Sequence, residues 1–186
     1  MRAFAIFFFA LLSAAVAAQD NFNRYFTDKV LRIDFMFAGN SEKTVVYPAG
    51  MKEEALFGGS RTQLKDPFNY GNFKYELYDA EDNIVIYSRS FCSLFQEWQT
   101  TAEAKMIERS FYEVATMPYP KAKSVFVLSM RERDGTFRKI YESEIDPADY
   151  FIRKEKPVTA SVSKIYDGGD PAKAVDLAFI AEGYRA

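Results

Sequence analysis

The stretch KSVFVLSMRERDGTFRKIYESEID, residues 123–146, leaves the chain few choices of fold. Asp134-Gly135 lies between two runs rich in β-branched and aromatic residues, a strong short-range hairpin signal, and it sets residues 124–131 against 136–144. A second hairpin is written into FKYELYDAEDNIVIYSRSF, with 73–78 outgoing, a polar turn over 79–83 and 84–91 returning. Upstream, Leu31, Ile33, Phe35 and Phe37 alternate with Arg32, Asp34 and Met36, the period-two pattern of a half-buried strand. Gly39-Asn40 supplies a turn, and KTVVYP begins another strand that Pro48 is expected to end.

The remaining segments fill in around these strands. Residues 49–72 carry Gly pairs and little periodicity and read mostly as loop, with room for a short strand. Thr100 and Glu103 have capping-box spacing ahead of a helix-forming stretch over 102–108, which predicts one short helix or helical turn there. SFYEVATMPYP reads as a strand that Pro118 and Pro120 confine to a sheet edge. Six to eight short strands at regular spacing predict an all-β fold, an immunoglobulin-like antiparallel β-sandwich over residues 19–146. The 18 Phe, 12 Tyr and single Trp suit a core of aromatic cross-strand pairs.

Both flanks have a different texture. MRAFAIFFFALLSAAVAAQD has a basic start, an apolar run and small residues before a cut, the layout of a secretory signal peptide over 1–18. The run is shorter than the roughly 20 residues a membrane span needs, so no span is expected after cleavage. This predicts a secreted or periplasmic bacterial protein. A single cysteine, Cys92, has no internal disulfide partner and is expected to be a buried thiol. From residue 147 to 173, Pro147, Pro157, Pro171 and Gly168-Gly169 have the composition of an interdomain linker. The apolar run in AVDLAFIAEGYRA, residues 174–186, then reads as the first strand of a further domain of which the chain holds no more.

The sharpest chemical datum is that the chain has no histidine. That excludes a zinc peptidase motif of the HExxH kind, and Ser-His-Asp and Cys-His nucleophilic systems with it. There is no P-loop or dinucleotide-binding fingerprint, and the net charge of −2 with both signs interspersed argues against a nucleic-acid partner. The acid pairs Glu53-Glu54, Glu81-Asp82 and Glu142-Glu144 sit where solvated turns and strand edges place acids anyway, and Glu182 closes the last apolar run. No catalytic and no metal-binding residue is assigned. Two non-catalytic uses remain. Trp98, Phe111 and Tyr119, large apolar groups that interrupt the hairpin series, are candidates for contact with another domain, against the alternative of plugging one end of the sandwich. Tyr70, Tyr75 and Tyr87, with Trp98, are candidates for stacking on a glycan, against filling the core.

RSFCSLFQEWQTTAEA, followed by SFYEVATMPYPK and closed by VDLAFIAEGY, resembles the N-terminal region of the bacterial IgA-peptidase family of secreted zinc metallopeptidases, peptidase family M sixty-four. FNRYFTDKVLRIDFMFAGN is similar to the start of the mature enzymes. The resemblance implies a β-sandwich accessory domain, a linker, and the first strand of an α/β peptidase domain whose HExxH lies downstream. Zinc is then expected only in that downstream domain, with no cofactor in this fragment. The expected partner is the protein's own C-terminal peptidase domain, with a protein or glycan substrate as a further one. The role implied is non-catalytic, docking on the peptidase domain or helping substrate recognition; the alternative is a stand-alone secreted module that binds glycan or protein.

Overall fold

The computed structural model describes residues 21–157, 159, 161, 163–169 and 177–179. The segments expected to be a signal peptide, and most of the one expected to begin a further domain, lie outside them. Two four-stranded sheets face each other. The first has the order β5-β1-β2-β8, from β1 (Phe26–Gly39), β2 (Thr44–Glu54), β5 (Arg109–Pro120) and β8 (Arg153–Lys154). The second has the order β4-β3-β6-β7, from β3 (Phe73–Asp79), β4 (Val85–Phe91), β6 (Ser124–Arg131) and β7 (Phe137–Ile145). This second order is that of the C′-C-F-G sheet of immunoglobulin-like sandwiches. The chain is an all-β sandwich.

The alternation read along β1 is what builds the core. Leu31, Ile33, Phe35 and Phe37 are all at most 5% exposed and meet Phe73, Tyr75, Leu77, Phe126 and Leu128 from the other sheet. Phe37 stacks on Phe73 at 4.3 Å and lies 5.8 Å from Phe95, so the aromatic richness is spent inside. The buried Tyr75 hydroxyl donates to the Thr116 carbonyl at 2.8 Å, which satisfies the one polar atom that ring carries inward.

Both hairpins form as expected. Asp79 accepts from the Glu81 and Asp82 amides, and Asn83 takes a positive φ of 52° in the first turn. Gly135, at φ 87°, does the same in the second, where Asp134 accepts from the Thr136 amide. β5 is a sheet edge, as Pro118 and Pro120 require. β4, the edge of the other sheet, is covered by the loop before β3, whose Leu64 carbonyl accepts from the Ser88 amide.

Four details depart from the sequence reading. β2 does not stop at Pro48 but runs to Glu54, because a bulge between Asp34 and Phe35 sets Ala49 outside the register and β8 reaches β2 only at Lys52 and Glu53. A proline at a bulge on such an edge breaks no ladder. The stretch expected to be helical over 102–108 forms only a single 3-10 turn, Glu103–Lys105, while the α-helix of this region is α2 (Leu94–Gln99), the helical residues 21–25 being α1. Ser93 caps it by accepting from the Phe95 amide, and Phe95 and Trp98 are buried three residues apart. Thr100 stands at its C-cap, and Glu103 binds Trp98 Nε1 at 2.8 Å and Arg109 at 2.7 Å instead of closing a capping box. Cys92 is exposed, not buried, at the corner between β4 and α2. Finally, the sandwich does not end at residue 146: Ile152 is 4% exposed and Arg153–Lys154 form β8.

Candidate docking end

The register of β1 defines two ends. Val30 is level with Glu54 and Pro118, and Gly39 is level with Thr44 and Arg109. The Val30 end gathers α1, the turn after β3 and the crossover from β7 to β8. Arg24 of α1 reaches Asp82 at 3.3 Å, and the Ala80 amide donates to the Lys123 carbonyl. The chain also leaves the sandwich at this end. β8 runs parallel to β2 there, the Glu155 amide donates to the Glu53 carbonyl at 3.0 Å, and Lys52 pairs with Glu155 at 2.8 Å.

The crossover is folded by its own aspartates. Asp146 accepts from the Ala148 amide at 3.0 Å and Asp149 from the Phe151 amide at 2.9 Å, a pair of Asx turns. The backbone adds Asp149 N–H to Asp146 and Ile152 N–H to Asp149. From the core side the Tyr119 hydroxyl donates to the Pro147 carbonyl at 2.8 Å. The Ala148 amide, then Lys123, holds the Asp146 carboxyl below its ordinary range. Burial, then the negative charges of Glu53, Asp146 and Asp149, raises the Tyr119 phenol, which stays a neutral donor. The result is a pinned turn that holds Tyr150 and Phe151 in water, 92% and 80% exposed, their rings 5.7 Å apart. Rings of at least ~150 Å² each at ~25 cal/mol per Å² leave about 7 kcal/mol of apolar surface uncovered, an upper bound on what a partner could recover.

The outer face of the first sheet continues from this end. Arg32 binds Asp34 at 2.6 Å, and Asp34 is only 3% exposed although it points outward. Burial works to raise the Asp34 carboxyl, but the Arg32 guanidinium and the Tyr112 hydroxyl outweigh it and hold it down. Next along the sheet, Tyr47, Met36 and Tyr112 lie side by side on β2, β1 and β5, with both tyrosines more than half exposed.

The residues singled out in the sequence fall in different places. Trp98 and Phe111 pack on each other at 5.6 Å and on Phe95, plugging the Gly39 end. Phe111 is level with Phe37 and the exit with Arg32, so about 17 Å of strand at ~3.3 Å per residue separates them. Tyr119 is at the exit end, beneath the crossover. Tyr75 and Tyr87 are 7% and 3% exposed and offer no ring face to solvent; Tyr70 is 82% exposed. Tyr150 and Phe151 were missed, although DPADYF, two aromatics inside a Pro/Asp turn with no alternation, marks them as residues no strand will bury.

Glu53 pairs with Lys29, Glu54 with Arg32, Asp82 with Arg24 and Glu142 with Lys139; Glu182 lies outside the described residues. A cavity of about 360 Å³ between α1, the loop before β3 and β4 is lined by Tyr25, Leu64, Pro67, Ile84 and Ile86 among others, with no carboxylate. Among the described residues no group of three or more His, Cys, Asp or Glu could hold a metal ion, and no helix is long and apolar enough to cross a membrane.

No curated protein matches the chain. The sequence model of the family described as Peptidase M64 N-terminus matches residues 21–142, which takes in α1 and the strands from β1 into β7. A two-sheet sandwich carrying that match over more than half its length, the chain belongs to the N-terminal domain family of the M64 peptidases.

Proposed function

We propose that this domain is a non-catalytic accessory module of an exported zinc metallopeptidase, and that it docks on the peptidase domain with its exit end. The observation that carries the reading is the pinned crossover. Tyr150 and Phe151 stand in water one residue before the strand that hands the chain onward. The tether over residues 155–173 raises the effective concentration of the next domain to roughly millimolar, so an interface of two aromatic rings and the rim around them suffices. Zinc chemistry belongs to the partner. This chain has no histidine, its one cysteine is exposed and joins no group of three or more candidate ligands among the described residues, and that donor set does not fit a zinc centre. Export is supported by the layout of residues 1–18, and N-terminal sequencing of the protein recovered outside the cytoplasm would read a start near Gln19.

The test is a titration of the labelled chain with a separately produced M64 peptidase domain, carried to about millimolar because the tether normally supplies that concentration. Amide shifts should centre on residues 146–155, and Tyr150→Ala with Phe151→Ala should weaken binding at least tenfold. Shifts confined to the Gly39 end, or zinc-dependent proteolysis by the chain alone, would sink the reading.

A further inference from the structure

At the Gly39 end, away from the exit, a second pair of aromatics stands in water. Phe68 and Tyr70 are 67% and 82% exposed, and their rings stack at 5.4 Å with 25° between planes. They are not loose side chains on a slack loop. Asp66 gathers the loop from inside, one carboxylate oxygen accepting from the Phe68 and Asn69 amides and the other from the Ser90 amide and hydroxyl. Arg131, at the end of β6, donates to the Asn69 and Gly71 carbonyls. Asn69 between the two rings takes a left-handed φ of 50°. Gly71 lies so close to the Phe91 backbone that a Cβ would stand 2.2 Å from its nitrogen. The fold thus fixes two aromatic rings side by side and leaves them uncovered.

We propose that the Phe68–Tyr70 ledge binds a carbohydrate by stacking on the face of a pyranose ring. The shape of the place selects that partner. Neither ring lines the cavity beside α1; what the ledge offers is a flat face. A pyranose presents a flat face of C–H groups ringed by hydroxyls. Tyr70 brings a phenol, and Asn69, between the two rings, brings an amide to answer those hydroxyls. Asn69 spends one N–H on the Asp66 carbonyl and keeps its amide oxygen. The neighbouring turn between β6 and β7 carries Glu132, Arg133 and Asp134 together, a mixed-sign surface that does not suit an anionic bilayer. The position adds a second reason. A ledge at the end remote from the chain's exit faces away from whatever the exit docks on, so the two surfaces can be used at once.

The test uses the full chain with three soluble probes: maltohexaose, chitohexaose, and a pool of O-glycans released from mucin. Saturation-transfer NMR reads which sugar protons approach the protein, and the ring protons of Phe68 and Tyr70 report the site. Contact from sugar C–H protons with at least one probe, perturbing those two rings, is expected. Tyr70→Ala and Phe68→Ala should each weaken it tenfold or more, while Tyr70→Trp retains it. Both rings are exposed, so the melting temperature of the alanine variants serves as the folding control. The proposal is overturned by no transfer from any of the three probes. Binding that Tyr70→Ala leaves unchanged, or ring perturbation by phosphatidylglycerol vesicles in place of sugar, also overturns it. Failure here leaves docking at the exit end untouched, since that titration reads residues 146–155.

Discussion

Replacing Asp66 by Asn should cost about 2 kcal/mol at neutral pH, and the cost should vanish in acid. Burial opposes ionisation of this carboxyl, but the Ser90 hydroxyl and the amides of Phe68, Asn69 and Ser90 outweigh it and bring its pKa from 3.8 to about 2. A carboxylate depressed that far contributes about 2 kcal/mol, at ~1.36 kcal/mol per pH unit. The contribution is fully present above 3.8 and is lost as pH falls through about 2. Asparagine keeps one acceptor oxygen but turns an NH2 toward donors on the other side, so it cannot satisfy both the Phe68 and Asn69 amides and the Ser90 amide and hydroxyl. The assay is urea unfolding of both proteins at several pH values. With a slope of ~1–3 kcal/mol per molar for a small domain, the midpoint should fall by about 1 M at pH 7. The gap should close between pH 4 and pH 2. Asp34, Asp146 and Glu155 are depressed too, but they titrate in both proteins and cancel in the difference. A gap that stays constant down to pH 2 would mean that the loss came from packing, and the charge reasoning would be refuted.

Further outcomes follow from single contacts. Tyr119→Phe removes the hydroxyl that holds the Pro147 carbonyl and should cost about 1 kcal/mol, with faster amide exchange at Ile152 and Glu155 and no change at α2. Ser93→Ala removes the α2 cap and should cost about 1 kcal/mol by urea unfolding. Phe37→Ala, in a residue fully buried between Phe73 and Phe95, should cost about 3–5 kcal/mol; a loss under 1 kcal/mol would show that the core collapses around the gap.

The strands were legible wherever a period-two pattern met a turn residue that only one geometry accepts. Asp134-Gly135 and the alternation from Leu31 to Phe37 are cases of this, and both hairpins and the central strand came out in register. The helical segment was legible only in part, a 3-10 turn at Glu103–Lys105 where a short helix or turn was expected, because two capping signals compete within ten residues. Ser93 and Thr100 can each cap, and the choice falls to Phe95 and Trp98, whose burial three residues apart is a tertiary fact. β2 outran Pro48 for a similar reason: a proline ends a central strand, and whether a strand is central is settled by its neighbours. β8 is two residues long with both side chains exposed, so no hydrophobic pattern exists to announce it. Of the site residues, Tyr119 fell at the exit end, while Trp98 and Phe111 were drawn into the plug at the other. Single-residue hydrophobicity says that a ring will be covered; it does not say whether the cover is the chain's own core.

The exit end is also where the sandwich is thinnest, and this bears on how docking would work. β8 reaches β2 through two residues, and beyond them the chain is tied by the Glu155 amide and the Lys52–Glu155 pair. Ile152 is the one apolar residue of the crossover in the core cluster. Opening residues 146–155 therefore breaks few contacts and should lie well below global unfolding in free energy. A partner that covers Tyr150 and Phe151 binds the closed turn, since only there do Asp146 and Asp149 hold the two rings at their present separation, and so it stabilises the closed form by its differential affinity. Amide exchange at Ile152 and Glu155 should then slow on adding a peptidase domain, while exchange in β3 and β6 stays at the global rate. Uniform slowing across both sheets would instead mean that the partner stabilises the whole sandwich, and the exit would have no special part in docking.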